Sequence, residues 1–328
     1  MPRLSIIIPT LGNWEVLEST LVSVLQNRPA RSEVVVVHNS RYEDPYDLKD
    51  EVRFVEAPSG SCLVDLINTG VATARSELIH LLACGAVVDD GWTTAAVQHF
   101  DDSRVSAVAP VILDLSCPAR VLSAGCQWSA GGSETAHASG RTVSDLGTNG
   151  RWTGPDIGAA FYRRSALGEI GAFDATLSGR LAAIDLSLRL SQAGYRTLLE
   201  PTSRLMIDPL LLDCHGPFAW ARQRERLFWR HARKRGWLRS VGAHGLLVAA
   251  ETLGNLPRWR SVACAAGRLI GACDKRGPRL RTIEPLAFTS VGSVERRVDA
   301  GHTAPSSQAR AATPRSRAGK TSEARSRR

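Results

Sequence analysis

The 328-residue sequence contains no Cys-x-x-Cys pair, and its seven cysteines (62, 84, 117, 126, 214, 264 and 273) are scattered and odd in number. That usage argues against a disulfide framework or a structural zinc site and points to a reducing compartment. Long hydrophobic runs are missing too. The longest near the C-terminus, residues 245–250, is closed by His244 and Glu251, far short of the ~20 residues that span a bilayer. The first ten residues lack the charged, apolar and small-residue layout of a secretory leader, so a cytoplasmic location is expected. No internal repeat recurs. With 43% hydrophobic residues the chain can bury a sizeable core, either as one large α/β domain with extensions or as two modest domains.

The formal net charge is +9, but residues 295–328 hold nine basic and three acidic side chains, so six of the nine excess charges sit in the last tenth of the chain. The charge belongs to a tail. From residue 287 the composition is rich in Ser, Ala, Arg and Pro, which predicts disorder. Arg315, Arg317, Arg325, Arg327 and Arg328 could meet nucleic acid or acidic lipid through nonspecific charge, and no specific nucleic-acid partner is expected.

Periodicity organises the rest. Short apolar, β-branched runs at 4–9, 33–37, 52–55, 78–82 and 106–113 read as buried strands. Helical spacing at 14–26, 63–74 and 92–100 separates them. Strands alternating with helices predict βαβ units in a mostly parallel sheet covered on both faces. Ligands of such sheets bind beyond the carboxyl ends of the strands. Residues 114–155, rich in Gly, Ser and Thr, read as loops with a short hairpin. An extended segment at 156–162, helices at 164–170 and 184–193, and a last strand at 195–200 follow. Beyond Pro217 come a basic, aromatic helix to Gly236 and two further helices over 241–253 and 261–273.

Six segments in order carry a resemblance. They are Ser5-Ile6-Ile7-Ile8-Pro9-Thr10, Val34-Val35-Val36-Val37-His38-Asn39-Ser40, and Asn68-Thr69-Gly70 running to Ala74-Arg75-Ser76-Glu77. The others are Leu78-Ile79-His80-Leu81-Leu82, Gly158-Ala159-Ala160-Phe161 with Gly171-Ala172-Phe173-Asp174, and Asp185-Leu186-Ser187-Leu188 with Ala193-Gly194-Tyr195. Over about residues 4–240 the chain resembles the family 2 glycosyltransferases. The resemblance implies a GT-A, Rossmann-like domain over 1–212, a basic helical extension over 213–286 and a disordered tail over 287–328. It further implies transfer of a sugar from a nucleotide-diphosphate donor to a glycan or lipid-linked acceptor, in the manner of cell-envelope polysaccharide synthesis. The donor would meet Pro9, Thr10, His38, Asn39, Asn68, Arg75, Ala83, Cys84 and Gly85, and the acceptor Gly158 and Ala159.

The acids of that chemistry are mostly missing. Such transfer needs the leaving diphosphate neutralised, usually by Mg²⁺ or Mn²⁺ on carboxylate oxygens, and a carboxylate to take the acceptor's proton. The metal position reads Leu82-Ala83-Cys84-Gly85-Ala86. The family's Glu-Asp pair has become Ala182-Ala183, leaving Asp185 as the candidate base. A Mg or Mn site would then need a non-standard carboxylate such as Asp208, and Arg75, Arg163, Arg164 and Arg180 are candidates to bind phosphate in place of a metal. Two readings stay open: a transferase with an unusual, metal-independent site, and a catalytically silent GT-A domain that binds a glycan, a nucleotide or a partner. The basic helix after Pro217 could pack on the domain or lie on an anionic membrane at the inner membrane surface.

Overall fold

The computed structural model describes residues 3–42, 44, 46–146, 152–209, 216–232, 237–254, 259–274, 278 and 280. The predicted tail over 287–328, Cys214 and the end of the basic helix at 233–236 lie outside the described residues. In chain order the first elements are β1 (Leu4–Thr10), α1 (Trp14–Gln26), β2 (Ser32–His38), β3 (Val52–Glu56), α2 (Leu63–Thr73), β4 (Leu78–Leu82), β5 (Ala86–Val88), α3 (Thr94–Gln98) and β6 (Val105–Asp114). Then follow β7 (Cys117–Ser123), β8 (Cys126–Trp128), β9 (Glu134–Ala136), β10 (Ala159–Arg163), α4 (Arg164–Ile170), α5 (Gly179–Gln192), β11 (Arg196–Ile207), α6 (Pro217–Ala232), α7 (Trp237–Gly254) and α8 (Trp259–Cys273).

Among the described residues nine strands form one sheet, ordered β3-β2-β1-β4-β10-β6-β11-β5 with β7 on β6. The predicted α/β sheet is present. Its ladders are parallel from β3 through β4 and between β6 and β11, while β10 runs antiparallel between β4 and β6. Period-two alternation divides the core. Ile6, Ile8, Val34 and Val36 pack with Leu17, Leu21 and Val24 of α1 on one face. Ile7, Val35 and Val37 pack with Val64, Ile67 and Val71 of α2 and with Leu181, Ile184 and Leu188 of α5 on the other. Strands buried on both faces read as unbroken apolar runs, which is why they are visible in the sequence.

Gly70 sets how closely α2 lies on β1. A Cβ there would stand 2.4 Å from Ile7 Cγ2 and 3.1 Å from Val37 Cγ2. Overpacking of this kind costs ~1–3 kcal/mol, against the ~1 kcal/mol of helix propensity that alanine returns. Gly70→Ala is therefore expected to lower the urea midpoint. An unchanged or raised midpoint would mean that α2 slides without cost.

The structure extends the sequence reading at three places. β11 runs twelve residues instead of six because its ladder to β6 breaks between Leu199 and Arg204 and then resumes. Pro201 sits in that irregularity, where a strand tolerates proline. α5 begins at Gly179, five residues before the predicted start. The Gly/Ser-rich stretch holds β7 and the β8–β9 hairpin. Beyond Pro217, α6 packs against the domain: Leu227, Phe228 and Ala232 join the same core as α5. Its arginines turn inward, Arg224 to Glu251 at 2.5 Å and Arg230 to Asp174 at 2.8 Å.

Candidate functional site

The parallel strands bring their carboxyl ends to one edge, and the loops there touch one another. Thr10 ends β1 opposite His38, the last residue of β2. The thiol of Cys84 interacts with the Thr10 side chain and stands 3.9 Å from the Asn13 carbonyl, joining the tip of β4 to the loop after β1. Burial pushes that thiol's pKa up, with Thr10 opposing, so it is a poor nucleophile. Gly12, at φ +103°, passes so close to the loop after β2 that a Cβ would meet Ser40 Oγ at 3.1 Å. The Gly85 amide donates to Thr20 Oγ1 at 2.7 Å. Because β10 is antiparallel, its start is at the same edge: the Ala83 amide donates to the Gly158 carbonyl at 2.9 Å and Ala159 pairs with Leu82.

An aromatic group lines the β1–β2 side. Trp14 meets His38 edge-on at 5.8 Å and Tyr42 at 4.5 Å, and Tyr42 lies 4.9 Å from Phe54. His38 donates through Nδ1 to the Ser40 carbonyl at 2.7 Å, which fixes its ring. The Tyr42 hydroxyl is buried and has no hydrogen-bond partner among the described residues. Asn39 donates to the Ser61 carbonyl at 2.8 Å.

Thr10, His38, Asn39, Ala83, Cys84, Gly85, Gly158 and Ala159 thus come to one edge, with Pro9 one residue inside it. Three candidate arginines do not. Arg75 precedes β4 and so stands at the opposite edge of the sheet, where its amide donates to Glu33 Oε1 at 2.6 Å. The antiparallel β10 carries Arg163 to that edge as well, paired with Leu78. There its guanidinium donates to Glu77, Val105, Phe100 and Asp102, and Arg164, next in sequence, is buried. Strand direction, not residue type, corrects these arginines. Asn68, on α2, is buried with its amide wholly engaged: Nδ2 donates to the Phe173 carbonyl at 2.9 Å, and Oδ1 accepts from the Phe173 amide at 3.0 Å.

Asp185 sits in the interior, 0% exposed. Its Oδ2 accepts from Arg189 Nε at 2.7 Å, and its Oδ1 accepts from Arg230 Nη1 at 3.0 Å and His231 Nε2 at 2.9 Å. Burial alone would raise its pKa, but the His231 hydrogen bond and the charges of Arg189 and Arg230 outweigh it and hold the carboxyl well below the usual carboxylate range. A carboxylate whose oxygens are taken by three donors and whose basicity is this depressed makes a poor general base; this geometry makes Asp185 an anchor between α5 and α6. Glu200, within β11, is held by His99 at 2.7 Å.

Two acids escaped the sequence reading: Glu134 lies in the stretch that reads as loop, and Asp156 opens the extended segment after it. Asp156, just before β10, is buried and accepts from Ser123 at 2.9 Å and from Arg180 Nε at 3.0 Å. Arg180 is in the first turn of α5, beside Ala182 and Ala183, and is the one of the four candidate arginines placed near the carboxyl edge. Glu134, on β9, faces Arg180 and Arg224. The sheet register carries Asp208 to the level of Gly85, one step past Ile207 opposite Ala86. Among the described residues no three Asp, Glu, His or Cys side chains gather in a metal-binding cluster.

The comparisons agree with this architecture. Residues 5–171, about half the chain, match the model of glycosyl transferase family 2. Two curated relatives, both called pre-mycofactocin glycosyltransferase and both from Mycobacterium tuberculosis (strains CDC 1551 / Oshkosh and ATCC 25618 / H37Rv), are 30% identical over 146 residues. That stretch covers 43% of this chain and 29% of the relatives, so the chain spans under a third of their length. Among solved structures, a crystal structure of GalNAc-T7 with UDP, GalNAc and Mn²⁺ superposes with TM-score 0.54 at 17% identity, over 69% of this chain and 47% of the other. A mannosyltransferase from Pyrobaculum calidifontis, solved with GDP-Man and Mn²⁺, gives 0.49 at 18% identity, over 83% and 75%.

Proposed function

The chain belongs to glycosyl transferase family 2, and from that premise we propose that its GT-A domain binds a nucleotide-diphosphate sugar across the ends of β1, β2 and β4 and transfers the sugar to an acceptor at the start of β10. The observation that carries this reading is the convergence of Thr10, His38, Ala83–Gly85 and Gly158 on one edge, bound to one another through their loops. The base would lie against the Trp14, His38 and Tyr42 rings, since stacking on aromatics holds any base, and the unpartnered Tyr42 hydroxyl supplies a polar contact.

Among the described residues, the divalent cation that the fold family implies finds no donor set at the tip of β4. Leu82-Ala83-Cys84-Gly85-Ala86 offers no carboxylate, and Asp208 at that level and Asp114, opposite Ile207 on β6, form no metal-binding cluster among the described residues. No step is therefore routed through a metal. Fixed positive charge can stabilise a departing diphosphate instead, and Arg180 is the arginine best placed for it. The acceptor we favour is a glycan or a lipid-linked sugar. Among the described residues no helix is long and apolar enough to cross a membrane, but Leu238, Leu246 and Leu269 on α7 and α8 are 79%, 75% and 72% exposed. Outward apolar side chains of this kind can rest against a lipid layer.

Ala182, Ala183 and the sealed Asp185 favour the second reading, a silent binding domain. Thermal-shift binding of UDP-, GDP- and dTDP-sugars, with and without Mn²⁺, read together with release of nucleoside diphosphate from the donor that binds, separates the two. Saturation to ~100 times Kd adds ~2.7 kcal/mol, a shift of several degrees for a domain this size. A shift with one nucleotide, equal with and without Mn²⁺, is the expected outcome. No shift with any donor leaves the silent reading.

A further inference from the structure

The family's acid pair is replaced by alanines at the start of α5, yet that helix end is not empty of carboxyls in space. The β8–β9 hairpin reaches it from another part of the chain. Its ladder sets Trp128 opposite Glu134. Its turn is clamped beneath α6 and α7: His244 donates through Nδ1 to the Gly131 carbonyl at 2.6 Å, and a Cβ on Gly132 would strike Phe228 at 2.9 Å. The hairpin is thereby a rigid mount. The Glu134 side chain is 9% exposed, and its Oε2 has no hydrogen-bond partner among the described residues. The nearest cation, Arg224 Nη1, stands 3.8 Å away, beyond hydrogen-bond reach. Arg180 interacts with Glu134 and with Asp156, and the Asp156 segment leads into Gly158, which binds Ala83 at the tip of β4.

We infer that Glu134 is the general base of the transfer, taking the acceptor's proton in place of the acid missing from α5. The assignment rests on the transferase reading above. In the step, the acceptor O–H proton passes to the Glu134 carboxylate while the acceptor oxygen forms a bond to the anomeric carbon. The bond from that carbon to the diphosphate oxygen breaks, and its electron pair leaves with the nucleoside diphosphate. The proton is later released to solvent. Burial drives the Glu134 carboxyl up to about 7, with the Glu251 charge on α7 adding to it and Arg224 on α6 and Arg180 on α5 opposing. A base poised near neutrality is matched to its task.

The test compares wild type with Glu134→Gln. Donor binding is read by thermal shift, and release of nucleoside diphosphate is read from pH 5 to 9 with the donor that binds, in the presence and absence of simple sugar acceptors. Glu134→Gln is expected to bind donor with unchanged affinity and to lose ~10²-fold or more in release, together with the wild-type rise in rate through about pH 7. A variant within threefold of wild type and with the same pH profile overturns the assignment while leaving the transferase reading intact. A wild type that neither binds nor cleaves any donor removes both. A second readout needs no turnover. A pKa raised in the folded state adds stability below the unfolded value, and that stability is lost as pH rises through about 7. Wild-type melting temperature should therefore fall across that window and the variant's should not; identical curves overturn the raised Glu134 carboxyl.

Discussion

Asp185→Ala is expected to unfold about 3–5 kcal/mol more readily than wild type, the cost of leaving the other members of a buried charge network uncompensated. That is roughly ten degrees or more in melting temperature for a domain of this size. The removed carboxylate is the common acceptor of Arg189, Arg230 and His231, of which Arg230 keeps Asp174 at 2.8 Å. Arg189 also donates to the carbonyls of Ile170, Gly171 and Ala172, so the damage reaches the turn after α4. The pH dependence has a definite sign. A carboxyl with a depressed folded pKa adds stability above its unfolded value, and that stability is lost as pH falls through the folded one. Wild type should keep this contribution until strong acid, and the variant should show a shallower acid limb in a series of urea melts. Below its melting temperature the variant should still bind donor. A variant of wild-type stability that transfers no sugar would restore Asp185 to the chemistry.

The fold was legible because its central strands are covered on both faces. Ile6, Ile7 and Ile8, or Val34 through Val37, leave no polar position for water, and the proline or turn after each run marks the carboxyl edge of the sheet. β11 was half legible because Pro201 and the polar residues after it interrupt the pattern at a break in register. The hairpin carrying Glu134 was scarcely legible. Its strands are three residues each, too short for any period to show among glycines and serines.

The candidate site divides along the same line. Thr10, His38 and Ala83–Gly85 are placed by local order alone: each follows directly on a strand. Arg75, Arg163 and Arg164 are misplaced by residue type, because strand direction decides which edge an arginine reaches: Arg75 precedes the parallel β4, and the antiparallel β10 carries Arg163 and Arg164 to that same far edge. Glu134 and Asp156 come to Arg180 through contacts between segments 24 and more residues apart in sequence, and no spacing rule anticipates that. An acid lost from a helix is easy to see in one sequence. Its replacement from a hairpin is visible only in three dimensions.

Asn68→Ala provides the complementary result. The substitution removes both partners of the Phe173 backbone, Oδ1 from its amide and Nδ2 from its carbonyl, and each buried group left unpaired costs ~1–3 kcal/mol. A loss of about 2–5 kcal/mol in urea unfolding is expected, with the donor-induced thermal shift preserved in the folded protein. Loss of the donor shift at unchanged stability would instead make Asn68 a ligand to the nucleotide. The wider pattern favours architecture. Asn68 holds Phe173, Gly70 two residues on lets α2 settle on Ile7, and Arg189 with Asp185 holds residues 170–172 from the other side. Arg230 closes the group through Asp174 and Asp185. The Asn-x-Gly segment, the Gly171-Ala172-Phe173-Asp174 segment and the start of the Asp185 helix, read separately as parts of a sugar-transfer site, are in this chain three sides of one structural knot. That is why the resemblance can be strong in fold while the acids of the chemistry have moved elsewhere.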